Sequence, residues 1–223
     1  MTESRSAQEL FQAAYENRYT WEPNFPGYTA TVEFKYGDRV LSGNVVVKAN
    51  LSAEVTGIDD EEARKAILGQ LQEVAIHRVR RSFADTHGKN TFRYGETDAT
   101  GAVEILMGGK SEGDRYKLRN NEVCHVHRHI HGIVVTIDTF SSHDTGAGYL
   151  SHRYDSVYAD PTTGEIKSGK IVFEDKYQKV GNYQIISQRI IQSVEDGQPV
   201  TTEFNFSNIE LLADRVEAAA VAV

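Results

Sequence analysis

Cysteine is almost absent from the chain: Cys124 is the only one, so no internal disulfide can form and the fold rests on its core. Also missing is any apolar run of the roughly 20 residues that a spanning helix needs, so no transmembrane segment is expected. Positive charge is in deficit, with 24 Lys and Arg against 32 Asp and Glu and a net charge of −8. Such a surface repels a phosphate backbone, which argues against nucleic acid as a partner. The opening MTESRSAQELF has neither the basic start nor the apolar stretch of an export signal, and with the lone thiol it points to a reducing, cytoplasmic setting.

Catalytic signatures are equally scarce. Gly108-Gly109-Lys110-Ser111 ends like a phosphate-binding loop but has no spaced glycine before it and reads as a hairpin turn. Ser141-Ser142-His143-Asp144 contains hydrolase residue types without a G-x-S-x-G elbow, and four adjacent residues cannot form the relay. Cys124 and His125 are neighbours on a strand and so point to opposite faces, which keeps the imidazole from activating the thiol. No catalytic residue is assigned, and the sequence leans away from an enzyme.

What is present is a pattern of alternation. Ser6 and Glu9 form a capping box, and Leu10, Phe11, Ala14 and Tyr15 follow at helical spacing, predicting a first helix over 4–18. Pro23 and Pro26 end it. From Gly27 the period becomes two: Tyr28, Ala30, Val32 and Phe34 share one face. Gly37-Asp38 turns the chain into a second run with Leu41, Gly43, Val45 and Val47 on its apolar side, and Leu51 to Val55 makes a short third strand. Asp59 to Glu62 open a second helix over 60–80, closed by Arg78, Arg80 and Arg81, with Ala63, Ala66, Ile67, Leu71, Val74 and Ala75 as its stripe.

Beyond residue 90, turn signals recur at Gly108-Gly109, Asn120-Asn121, Gly132, Gly146 to Gly148, Asp160 to Gly164, Gly181-Asn182 and Asp196-Gly197. They predict an antiparallel meander over 91–210, followed by a tail over 211–223. The expected fold is α+β, mainly antiparallel β, in one domain over 1–223. It is a curved sheet of ten to twelve strands, an open or half barrel covered by the two N-terminal helices. Strands that each twist by about 20° cannot stay flat over that width. The interior is either a ligand cavity or a dry core, since alternation marks an inward face without saying what fills it.

This order of elements resembles the LolA and LppX type of lipoprotein-carrier fold, an open barrel with a helical lid over an apolar cavity. The segments RYTWEPNFPGYTATVEF (18–34) and LSAEVTGIDDEEARK (51–65) resemble an uncharacterised family found mainly in cyanobacteria. The architecture implies a non-enzymatic carrier or binding module that holds a hydrophobic or amphipathic small molecule between the concave sheet and the helices. Tyr28, Val32, Phe34, Val45 and Val47 would line the site from the sheet, and Ile67, Leu71 and Val74 from the lid. An interaction or assembly factor using the sheet surface or an edge strand is the main alternative. Homo-oligomerisation is left open.

The most unusual local feature is Cys124-His125-Val126-His127-Arg128-His129-Ile130-His131, with four of the eight histidines at alternate positions. On a strand they project from one face about 7 Å apart, so two neighbours can share a divalent transition metal. His125, His127 and His129 are the candidate ligands of a metal-binding protein or metal-dependent enzyme, with His143, His152, Asp138 or Asp144 as a third ligand if the register allows. The competing reading is a solvent-facing strand whose imidazoles stack and hydrogen-bond across to their neighbours, with no cofactor at all.

Overall fold

The computed structural model describes residues 5–212. The expected tail lies outside them, apart from Leu211 and Leu212. The chain divides into two compact units. The first runs up to Tyr19 and resumes over Arg81–Phe173. It holds α1 (Ala7–Glu16), α3 (Phe83–His87), β4 (Asn90–Thr97), β5 (Val103–Gly109), β6 (Arg115–Arg119), β7 (Glu122–Ile130), β8 (Ile133–Asp144) and β9 (Tyr149–Ala159). The second comprises Thr20–Arg80 and the chain from Glu174 onward. It holds β1 (Gly27–Tyr36), β2 (Arg39–Lys48), β3 (Ala53–Thr56), α2 (Glu61–Arg78), β11 (Tyr183–Glu195) and β12 (Gln198–Leu211). Strand β10 (Ile166–Val180) runs from the one into the other.

The strands are hydrogen-bonded in the order β3-β2-β1-β12-β11-β10-β9-β8-β7-β6-β5-β4. The fold is α+β, with an open twelve-stranded antiparallel sheet and no pairing between its end strands β3 and β4. Turn chemistry sets the hairpins. Asn120-Asn121, His131-Gly132 and Asp196-Gly197 all have positive φ at both positions, the two-residue turn whose twist matches that of the flanking strands. His131, at φ 49, is therefore a turn residue. The strand carries three alternating histidines, because the fourth position is taken by the turn.

In the first unit α1 starts as its sequence dictates. Ser6 Oγ accepts from the Glu9 amide at 3.2 Å while Glu9 Oε2 accepts from the Ser6 amide at 2.7 Å. Its face buries Phe11, whose ring centre lies 4.8 Å from Tyr116, 5.1 Å from His87 and 5.5 Å from Phe92. The short α3 is an addition to the expected elements. Ser82 Oγ accepts from the Asp85 amide at 3.0 Å, the same cap as at Ser6, in a helix too short to show a hydrophobic period.

In the second unit the register aligns one apolar face: Tyr28 opposite Val47, Ala30 opposite Val45, Val32 opposite Phe206 and Phe34 opposite Phe204. Gly43 stands opposite Val32. A Cβ there would come within 2.4 Å of Thr56 O and 2.8 Å of Ile58 Cγ1, so glycine is needed for the close approach of the segment leading into α2. Among the described residues no helix is long and apolar enough to cross a membrane.

Candidate functional site

The eight residues expected to line a ligand site all fall in the second unit, and all are buried. Val32, Val45 and Ile67 are 0% exposed, Val47 1%, Tyr28 and Leu71 2%, Val74 5% and Phe34 6%. Burial pushes the Tyr28 phenol far above its ordinary range. Exposure this low leaves these side chains almost no contact with solvent, so the face is covered. A ligand reaches it only when the side chains covering it move.

Helix α2 is seated by its ends. At its N-terminus Asp60 Oδ1 accepts from the Ala63 amide at 2.8 Å and its carboxylate pairs with Arg39 of β2. These two contacts hold the carboxyl below its usual range. At its C-terminus the Trp21 amide donates to Arg78 O at 2.8 Å. Trp21 stacks on Phe25 with ring centres 4.0 Å apart and donates through Nε1 to Gln184 O at 3.2 Å. Between these ends the stripe buries Ala63, Ile67, Leu71, Val74 and Ala75. Only three of these are large, while Ala66 is half-buried.

Sequence reasoning missed the polar group at this helix. Arg189 of β11 stands opposite Phe204 and is 4% exposed, yet its guanidinium is fully engaged. Nε donates to Asp175 Oδ1 at 2.8 Å and Nη2 to Asp175 Oδ2 at 2.7 Å, a bidentate fork on a carboxylate that is itself 1% exposed. Nη1 reaches α2, donating to Gln70 Oε1 at 2.8 Å and pairing with Glu73 Oε2 at 3.4 Å. Beside it Arg78 Nη2 donates to Tyr177 Oη at 3.1 Å, and burial pushes that phenol up to about 12. The underside of α2 thus sits on a buried ion pair within an apolar surface. Arg189 lies in the run YQIISQRIIQ, where a charged residue on an alternating strand reads as solvent-facing. Nothing local reveals partners 14 and 119 positions away.

The first unit holds the histidines. His125, His127 and His129 share one face of β7, opposite Asp138, Thr136 and Val134 of β8. Asp138 hydrogen-bonds His125, while the His143 ring lies against His152, centres 4.5 Å apart. Among the described residues no three His, Cys, Asp or Glu side chains form a ready ligand set. Cys124 donates to Lys117 O at 3.4 Å, and burial raises its thiol pKa, which makes a poor nucleophile. It lines a cleft of about 160 Å³ with Arg119, Glu122 and Ser141, where Ser142 Oγ donates to Glu122 at 2.5 Å.

A search of curated proteins finds no match. A family model described as protein of unknown function, DUF3386, matches residues 2–212. The chain belongs to the DUF3386 family. That match spans both segments, 18–34 and 51–65, that carry the sequence resemblance. Among solved structures, this DUF3386 member is similar to a LolA superfamily protein from Nitrosomonas europaea, at 9% identity and a TM-score of 0.36, covering 93% of this chain and 94% of that one. It is also similar to a domain named for outer-membrane lipoprotein sorting from Vibrio parahaemolyticus, at 8% identity and a TM-score of 0.34, covering 92% of each chain.

Proposed function

We propose that this chain is a non-enzymatic binding module for a hydrophobic or amphipathic small molecule, taken up between the inner face of β1 and β2 and helix α2, which acts as a lid. The observation that carries this reading is the way α2 is seated. It buries a stripe with only three large side chains and is tied through Gln70 and Glu73 to Arg189 of the buried Arg189–Asp175 pair.

A buried ion pair is a weak source of stability, because desolvation offsets most of the attraction. What it supplies is register, and a polar seat that water can re-solvate when the helix lifts. Exposing Ile67, Leu71 and Val74 costs roughly 5–9 kcal/mol at about 1.5–3 kcal/mol each, and every buried methylene returns about 0.8 kcal/mol. A hydrocarbon chain of about ten methylenes therefore offsets lid opening, which sets the expected ligand class as acyl or isoprenoid chains of at least that length.

Titration with a dansylated C11 fatty acid tests the reading. Saturable one-to-one binding is expected, with a blue-shifted emission and displacement by unlabelled C16 acid but not by C4 acid. Emission that stays unshifted and unsaturated up to the probe's solubility limit contradicts it.

A further inference from the structure

Each of the three imidazoles on β7 has an oxygen beside its Nδ1, and the binding-module reading makes no use of them. Nδ1 lies 2.7 Å from Asp138 Oδ1 in His125, 3.0 Å from Thr136 Oγ1 in His127 and 3.0 Å from Asp114 Oδ1 in His129. An ionised carboxylate only accepts, so the Nδ1 atoms of His125 and His129 donate, which leaves Nε2 as the atom that can offer a lone pair to an ion. An oxygen behind one ring nitrogen, fixing the tautomer while the other nitrogen faces the ion, is the recurring setting of metal-ligating histidine.

The spacing is close to that of a chelate. Two imidazoles sharing an ion at about 2.0–2.1 Å per nitrogen have ring centres about 5 Å apart at a tetrahedral angle. Those of His127 and His129 are 5.8 Å apart, with the rings at 85°. A modest side-chain rotation closes the difference. Arg115 stands directly opposite His127 on β6. Asp114, with a side chain 6% exposed, also faces Arg128 Nε at 3.7 Å and supplies the negative charge nearest the pair.

We propose that His127 and His129 chelate one divalent transition metal ion, zinc or copper, with water completing the shell and Asp114 orienting His129 from behind. With two protein ligands the site is open and binds more weakly than a closed four-ligand site.

The test is equilibrium dialysis of the full chain, without an added histidine tag, against zinc at pH 7.5, read by elemental analysis. One zinc per chain is expected. Affinity should fall at least tenfold in His127→Gln/His129→Gln and about tenfold in Asp114→Asn, stay unchanged in His143→Gln/His152→Gln, and be lost for the wild type near pH 5. Electron paramagnetic resonance of the copper-loaded wild type adds a readout that needs no variant to fold, and coupling to two imidazole nitrogens is expected. The proposal is overturned if the wild type retains no metal, if the His127/His129 variant retains it equally, if the His143/His152 variant loses it, or if copper couples to a single nitrogen.

Discussion

Arg189 and His87 are buried polar side chains whose surroundings set the response to substitution and to pH. Arg189→Ala leaves Asp175, 1% exposed, as a buried carboxylate without its guanidinium counter-charge, and urea denaturation should show a loss of about 3–5 kcal/mol. Arg189→Met combined with Asp175→Leu removes both charges and should recover most of that loss. A double variant as unstable as the single one would mean that the pair contributes more than it costs. His87 sits 6% exposed among Phe11, Tyr15 and Phe83, and its pKa is pushed down to about 4 by burial first and then by Arg128 and Arg18. The folded state therefore refuses a proton that the unfolded chain binds from about pH 6.5 downward. Its contribution is complete above pH 6.5 and declines as pH falls toward 4, by up to one proton per chain. The fall in urea midpoint between pH 7.5 and 4.5 should be smaller in His87→Gln than in the wild type. Neither residue announces itself in the sequence, because each acquires its environment from segments distant along the chain.

The elements were legible wherever a cap or a turn carries its own chemistry. Ser6 with Glu9 fixes the start of α1, Asp60 that of α2, and Asn120-Asn121 and Asp196-Gly197 fix hairpins; in each case the decisive atoms lie within three residues of one another. Helix α3 escaped because five residues show no period, though Ser82 and Asp85 repeat the same capping signal. The row of histidines on the strand is one member shorter than the alternation in sequence, since His131 is needed by the turn. For α2, the modest stripe and polar seat predict local opening below the global unfolding free energy. Its amides from Ile67 to Ala75 should exchange with deuterium well before those of β1 and β12, and adding a C16 fatty acid should change their rate while leaving α1 unaffected. Exchange of α2 in step with β1, with or without the acid, would contradict the assignment of α2 as the lid.

For the molecule as a whole, turn signals together with the first three strands predict ten to twelve strands, and the described residues form twelve. The pairing of β1 with β12, such as Phe34 opposite Phe204, joins residues 170 positions apart, and no local pattern encodes such a partner. The burial of Tyr28, Val32, Phe34, Val45 and Val47 follows from alternation and that of Ile67, Leu71 and Val74 from helical spacing. Alternation says nothing about what holds the face closed, which depends on Arg189 and its partners. Native mass spectrometry of the chain purified from its own host tests the central claim most directly. The account predicts a population heavier than the bare chain by one amphipathic molecule of lipid mass, released when the protein is unfolded. A single bare mass under conditions that preserve known lipid complexes would contradict it.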